Sequence, residues 1–206
     1  MNTALAFDTE TSGIPKWDKP SEHPDQPHIV QLAAVLFDLD TRKTISSMDV
    51  IIKPDGWVIP EEVSAIHGIT TEMAMQFGIP EASAVAMFLA LWNGRPRIAH
   101  NEQFDARILR IAMKRFPNVF SESLGERWKA GTAICTAKLA TPIVKCPPSA
   151  KMKAAGRFHH KTANLGEAYQ FFTGKPLENA HSAMADVEGC MAVYFGVQDY
   201  QAKEVA

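Results

Sequence analysis

Two apolar stretches near the start of the chain predict the core of a sheet. Residues 3–9 are short, apolar and compatible with a strand, and residues 28–39 are almost continuously apolar, as expected of a strand covered on both faces. Residues 44–53 follow a polar turn and complete a predicted antiparallel set of three strands. The segment between the first two strands contains four prolines, which predict a surface loop.

Helical periodicity dominates the remainder of the chain. A short strand is predicted at residues 97–99, and the predicted helices cover residues 60–65, 80–92, 101–116, 163–173 and 182–197. Strands followed by mixed helices and strands predict an α/β fold, with helices flanking a mixed sheet. We expect one domain over residues 1–200 and a short C-terminal tail at residues 201–206.

Composition narrows this picture only slightly. A chain of 206 residues with a net charge of −2 is long enough for one substantial core and has no overall electrostatic signature. Cys135, Cys146 and Cys190 form neither a C-x-x-C pair nor an even framework, which favours a reducing compartment. No targeting segment and no apolar run of about 20 residues is found, so we expect a soluble, cytoplasmic protein without membrane contact.

Acidic residues occupy positions where apolar ones would be expected. Asp8 and Glu10 alternate along the first strand and therefore share a face. Two interpretations of this pair alone stay open, a hydrated strand end or a binding site, because buried like charges need a cationic partner. Asp105 and Asp186 each lie within the apolar arc of a predicted helix.

Four convergent carboxylates are accommodated by hard divalent cations such as Mg²⁺ or Mn²⁺. Two such ions can clamp the attacking and leaving oxygens of a phosphoryl displacement. His181 lies five residues before Asp186, where its near-neutral pKa suits a general base. The pattern therefore predicts metal-dependent hydrolysis of a phosphodiester.

Three segments resemble, in order, the motifs of the DEDD exonuclease superfamily in its His-containing (DEDDh) branch. They are FDTETSG at 7–13, HNEQFD at 100–105 and HSAMAD at 181–186, and HIVQLAAV, SAIHGIT and TGKPLENAH support the resemblance. Similar proteins include the proofreading subunit of the bacterial replicative DNA polymerase and stand-alone 3′→5′ exonucleases. One departure is Ile134-Cys135-Thr136, where the family often carries Asp-Thr.

The resemblance implies a ribonuclease H-like fold, two Mg²⁺ or Mn²⁺ ions and 3′→5′ release of nucleoside 5′-monophosphates. It implies that the metal ligands are Asp8, Glu10, Asp105 and Asp186, with His181 as the general base. It also implies contacts with the terminal nucleotide from Thr9, Thr11, Ser12, Gly13, His67, Asn101 and Phe104. For Phe104, a place in the core is an equally open interpretation.

A basic segment supplies a candidate path for the substrate. Residues 127–166 contain no Asp or Glu but eight Lys and Arg, and residues 142–161 are predicted to be a long loop. We expect Lys151, Lys153 and Arg157 to guide a single strand, with a solvated loop of no function as the alternative.

The sequence thus favours an exonuclease that acts on single-stranded DNA, in repair or proofreading. The alternatives are an exoribonuclease or oligoribonuclease with the same chemistry, and a non-catalytic nucleic-acid-binding module that accompanies a polymerase. Because only residues 200–206 follow the predicted last helix, we expect a free-standing enzyme, although a polymerase partner stays open. The oligomeric state is not predicted.

Overall fold

The computed structural model describes residues 2–205 of the chain, and a five-stranded sheet forms its centre. The strands are β1 (Thr3–Thr11), β2 (Ile29–Asp38), β3 (Thr44–Ile51), β4 (Arg97–Ala99) and β5 (Ala133–Cys135). Their spatial order is β3-β2-β1-β4-β5, with β1, β2 and β3 antiparallel and β1, β4 and β5 parallel. The predicted α/β class, the mixed sheet and the antiparallel first three strands are confirmed.

Nine helices cover the sheet in the described residues. They are α1 (Glu61–His67), α2 (Thr71–Phe77), α3 (Glu81–Trp92), α4 (Glu102–Arg115), α5 (Glu122–Ala130), α6 (Thr136–Val144), α7 (Ala150–Ala154), α8 (Leu165–Thr173) and α9 (Ala183–Val205). Even the 23-residue α9 lacks the apolar length that a bilayer-spanning helix needs, and so does every other described helix.

Two predicted boundaries need correction. Residues 142–161 are not one long loop, because Pro142 lies inside α6 and the side chain of Ser149 accepts a hydrogen bond from the backbone N–H of Met152 to cap α7. Residues 201–205 are not a tail but the last part of α9. The final residue of the predicted tail, 206, lies outside the described residues.

The alternation of side chains along β1 divides the core into two layers. Leu5 and Phe7 pack on one face of the sheet, in a cluster that includes Trp128 of α5. Ala4 and Ala6 face the opposite layer, where they pack with Val187 and other residues of α9. The C-terminal end of β1 is therefore reached by α4 from one face and by α9 from the other.

A buried ion pair fixes the relative positions of β2, α3 and α4. Glu81 is 6% exposed and accepts two 2.7 Å hydrogen bonds from Nη1 of Arg115 and one of 3.2 Å from the backbone N–H of Ile29. Burial alone would raise the pKa of Glu81, but His28, Arg115 and the Ile29 N–H together hold that pKa below its usual range. The pair thus ties the layer that carries Asp105 to the sheet.

Candidate active site

Asp8 and Glu10 lie at the C-terminal end of the central strand. They share the face of β1 that carries Ala4 and Ala6, so both side chains point toward the α9 layer. Both residues are half-buried. The sheet therefore holds two carboxylates at one end, as the alternation in the sequence predicts.

Asp105 reaches the same strand end from the opposite layer. Its Oδ1 accepts hydrogen bonds from the backbone N–H of Thr9 at 3.1 Å and from the Thr9 hydroxyl at 2.7 Å. Thr9 is only 5% exposed. The Thr9 hydroxyl is therefore buried and donated to Asp105, and contact of Thr9 with the terminal nucleotide stays a prediction.

Asp186 and His181 are brought to the site by the first turn of α9. The backbone N–H of His181 donates to Oδ2 of Asp186 at 3.2 Å, and one ligand atom from each of Glu10, His181 and Asp186 lies within 4.8 Å of the others. The backbone N–H of Ala183 donates to Oε1 of Gln31 at 3.2 Å, which fixes the start of α9 against β2.

The pKa values of the four carboxyl groups show how closely they approach. Burial raises the pKa of Asp8 well above its usual range, and the charges of Asp105, Asp186 and Glu10 raise it further. Burial and the charges of Asp186 and Asp105 raise the pKa of Glu10 to about 7. Burial likewise raises the pKa of Asp105 to about 7 and moves that of Asp186 upward. The four groups therefore repel one another in a partly dehydrated site.

This donor set fits divalent metal ions. Within residues 2–205, no Lys or Arg forms an ion pair with any of the four carboxylates, so their charge lacks an internal counterion. Hard cations with oxygen ligands would remove the repulsion and stabilise the ionised forms. His181 lies close enough to Glu10 and Asp186 to act as a metal ligand as well.

A small pocket adjoins Glu10 on the side of α1. It has a volume of about 140 Å³ and is lined by Glu10, Thr11, Gly13, Ile14, Val63, Ile66 and His67. Ile14 is 76% exposed and Ile66 is 56% exposed, although both are apolar. Three predicted substrate residues, Thr11, Gly13 and His67, are thus brought together beside the carboxylates.

His67 presents a defined tautomer to this pocket. Its Nδ1 accepts a 3.1 Å hydrogen bond from the backbone N–H of Ile69, so the proton of the neutral ring resides on Nε2. Burial, and secondarily the neighbouring His181, lower the pKa of His67. Nε2 has no hydrogen-bond partner among the described residues. His67 is therefore a neutral donor with unused capacity.

The other predicted substrate residues lie in varied surroundings. Ser12 is committed to structure, because its Oγ accepts a 2.9 Å hydrogen bond from the backbone N–H of His28. Asn101 is exposed and precedes α4 with a φ of 68°, and Phe104 packs against the large core cluster. Three basic residues are exposed on or just after α7, namely Lys151, Lys153 and Arg157.

Two features of the site were missed in the sequence. Gln31 is 9% exposed and is the one amide side chain within the apolar run of β2, which could have indicated a buried polar contact in the sequence. Ile14 and Ile66 gave a weaker signal, because exposed apolar residues are common on protein surfaces. The structure identifies these two residues as part of the site because they line the pocket beside Glu10, next to a helix, α1, that has no buried residue.

Comparison with known proteins agrees with the fold described above. The sequence profile of the RNase T exonuclease family matches residues 5–194. No curated protein matches the chain in a sequence search. Escherichia coli exonuclease I bound to a dA16 oligonucleotide superposes with a TM-score of 0.71 at 21% identity, covering 98% of this chain and 42% of that chain.

Two further solved structures give similar values. The zinc-bound form of the E. coli exonuclease I complex with single-stranded DNA has a TM-score of 0.71 at 22% identity, covering 98% of this chain and 42% of that one. Exonuclease I from Methylocaldum szegediense has a TM-score of 0.68 at 23% identity, with the same coverage of 98% and 42%. The chain thus spans about two fifths of the length of these relatives.

The fold and the family match together define the class, which is that of ribonuclease H-like exonucleases of the DEDD superfamily. The chain belongs to the RNase T exonuclease family. The resemblance drawn from the three motifs is confirmed, because this family is one of exonucleases. Members of this family depend on divalent metal ions.

Proposed function

We propose that this chain hydrolyses the terminal phosphodiester bond at the 3′ end of single-stranded DNA and releases nucleoside 5′-monophosphates. The observation that carries the proposal is the convergence of Asp8, Glu10, Asp105 and Asp186, beside His181 and without a neutralising Lys or Arg in the described residues. The E. coli relative was solved with single-stranded dA16 and dT13 oligonucleotides, which supports DNA as the substrate class.

Asp8, Glu10, Asp105 and Asp186 would hold two Mg²⁺ or Mn²⁺ ions, which would relieve the repulsion that raises the pKa of Asp8. Such ions supply Lewis-acid polarisation of the scissile phosphate and of the attacking water. Thr9 keeps Asp105 in one orientation through its two hydrogen bonds. His181 takes the proton of the attacking water at a ring nitrogen, because it is exposed and lies beside Glu10 and Asp186.

The pocket beside Glu10 would receive the 3′-terminal nucleotide. Ile14 and Ile66 offer apolar surface to a planar base. Nε2 of His67 is buried without a partner among the described residues, so a shift of this side chain would bring its N–H to a base or sugar oxygen. Thr11 and Gly13 line the same pocket. Apolar contacts of this kind accept any base, which suits an enzyme that degrades strands of every sequence.

The exposed basic residues around α7 would hold the strand through its phosphates. Lys151, Lys153 and Arg157 have no acidic partner within the described part of the chain. Phe158 follows them and is 75% exposed, so an unpaired base could stack on its ring. Contacts of this type are independent of sequence and weaken with salt.

Degradation of a 5′-labelled single strand tests the proposal. The wild-type protein with Mg²⁺ or Mn²⁺ should shorten the strand stepwise from the 3′ end and release mononucleotides identifiable by chromatography. Chelation or Asp8→Ala should abolish this activity. Retained hydrolysis in purified Asp8→Ala would overturn the assignment, and faster degradation of matched RNA would favour the exoribonuclease alternative.

The role of His181 requires a separate measurement. His181→Ala should lower kcat by roughly two to four orders of magnitude, as expected for the loss of a general base. Stabilisation by Mn²⁺, measured as a thermal shift, should persist if His181 is not a metal ligand. Loss of both activity and the thermal shift would instead make His181 a ligand.

A further inference from the structure

A second pocket, lined by Arg and Lys side chains, lies on the opposite side of α4 from Thr9. It has a volume of about 220 Å³ and is lined by residues of α4, by α5 and by Trp17 from the loop between β1 and β2. Gln103, Arg107 and Arg110 face it at helical spacing, whereas Asp105 of the same helix turns toward Thr9. None of the four active-site carboxylates lines this pocket, which we call the Arg107 pocket.

The Arg107 pocket carries an uncompensated positive charge. Its one lining acid, Glu102, is neutralised by Arg97, whose Nε lies 2.6 Å from Oε1 of Glu102. Lys129, also in the lining, pairs with Glu126 at 2.7 Å. Arg107 and Arg110 have no acidic partner among residues 2–205. Two guanidinium charges therefore remain in a chain whose net charge is −2.

The two arginines are held in place by the loop that carries Trp17. Nη2 of Arg107 donates to the carbonyl oxygen of Lys19 at 2.6 Å, and Nε of Arg110 donates to Oγ of Ser21 at 3.3 Å. The guanidinium of Arg107 also lies 5.9 Å from the centre of the Trp17 ring. Each arginine thus uses part of its hydrogen-bonding capacity for structure and keeps the rest.

The protein does not satisfy all the hydrogen-bond donors of these two arginines. Nε of Arg107 is buried and has no hydrogen-bond partner within the described residues. Burial, together with the charges of Arg107 and Arg97, lowers the pKa of Arg110. An anion in the pocket would relieve the repulsion between the arginine charges and would accept hydrogen bonds from the free N–H groups. A planar guanidinium suits phosphate in particular, because it can donate two parallel hydrogen bonds.

We propose that the Arg107 pocket binds a phosphate group of the substrate strand, at a distance from the terminal nucleotide held beside Glu10. This inference rests on the proposed function. Trp17 is 50% exposed at the pocket, so an adjoining base can stack on its free face. The pocket acts as a second binding site, and only strands that are long enough to reach it can bind there.

Steady-state kinetics, measured for strands of different length, tests this second binding site. For a thymidine trinucleotide, Arg107→Gln and the wild type should have the same KM. For a long oligothymidylate, KM should rise about tenfold in Arg107→Gln with kcat unchanged, as expected for the loss of one charged phosphate contact. The control is Lys43→Gln, which removes an exposed cation from the β2–β3 turn and should change neither value.

Arg107→Lys separates phosphate binding from support of the loop. It keeps the charge but loses the planar fork, so KM for the long strand should lie between those of the wild type and Arg107→Gln. An equal rise of KM at every length, or no rise at any length, would overturn the proposal. A lower melting temperature in both variants, with unchanged KM, would show that Arg107 only supports the loop.

Binding in chelator distinguishes this inference from the proposed function. The fluorescence of Trp17 is obtained as the difference between the wild type and Trp17→Phe. A long oligothymidylate should quench this fluorescence in the protein with Arg107, and should not quench it in Arg107→Gln. Inorganic phosphate and thymidine monophosphate should quench the Trp17 fluorescence only at far higher concentration than the long strand. Equal affinity for free phosphate would overturn a strand site. Quenching by the long strand in chelator, together with no hydrolysis of that strand once Mg²⁺ or Mn²⁺ is added, would refute the proposed function while supporting the pocket.

Discussion

The cluster of carboxylates should destabilise the metal-free protein, and Asp105→Asn tests this most directly. Asp105 is 3% exposed, and burial raises its pKa from 3.8 to about 7. Asparagine keeps the oxygen that accepts both hydrogen bonds from Thr9 but removes the charge. Asp105→Asn should therefore inactivate the enzyme and stabilise its metal-free fold.

The magnitude follows from the change in pKa. One pKa unit corresponds to about 1.36 kcal/mol, so the full shift is worth roughly 4 kcal/mol. We expect about half of that, because the new amide NH₂ group must itself be buried. For a chain of this length, roughly 2 kcal/mol raises Tm by about 4–8 °C.

The sign of the pH dependence is set by protons bound in the folded state. Because the pKa is raised on folding, the native protein binds more protons than the unfolded chain between pH 3.8 and about 7. The penalty from Asp105 is thus absent below that window, grows as pH rises through it and is complete above it. The Tm difference between Asp105→Asn and the wild type should follow the same course.

Calorimetry in chelator at acidic and alkaline pH measures this difference, with the exposed Asp55→Asn as the matched control. Added Mg²⁺ or Mn²⁺ should raise the Tm of the wild type and reduce the advantage of Asp105→Asn. The reasoning fails if Asp105→Asn is less stable than the wild type by the same amount at both pH values, since burial of the charge would then have no cost.

Three further outcomes are expected. Gln31→Leu should lower kcat by about tenfold or more and also lower Tm, because the buried Ala183 N–H loses its acceptor and the first turn of α9 is no longer fixed; unchanged kcat would contradict this role. Glu81→Gln should reduce the free energy of unfolding near neutral pH by roughly 3 kcal/mol, and less as pH falls through the lowered pKa of Glu81, measured by urea titration. Neutralising three basic residues together should raise KM and flatten its salt dependence, and an unchanged slope would refute their contact with phosphates, namely in Lys151→Gln, Lys153→Gln and Arg157→Gln.

The sequence was most informative where polar residues break an apolar pattern. Asp8, Glu10, Asp105 and Asp186 could all be selected in this way, because burying a carboxylate without a function is costly. The hydrogen bond between Thr9 and Asp105 could not be predicted from the pattern, since alternation shows only that Thr9 points away from Asp8. That its hydroxyl meets Asp105 depends on how α4 packs, which is a tertiary property.

Element boundaries were less predictable for a similar reason. The apolar stripe of α9 ends at Val197, so the helix was expected to end there, yet residues 198–205 continue it. These residues favour helix locally, and the ion pair between Arg42 and Asp199 holds this part of α9 against the β2–β3 turn. At α7, the two prolines obscured the cap that Ser149 supplies.

The order of the site elements along the chain bears on synthesis at the ribosome. β1, which carries Asp8 and Glu10, emerges early and can pair with β2 and β3 while the rest of the chain is still being made. His181 and Asp186 arrive only with the start of α9, after every other described strand and helix. On the roles proposed above, a nascent chain cannot cut nucleic acid until α9 has docked, and repulsion within the complete cluster arises only at that step.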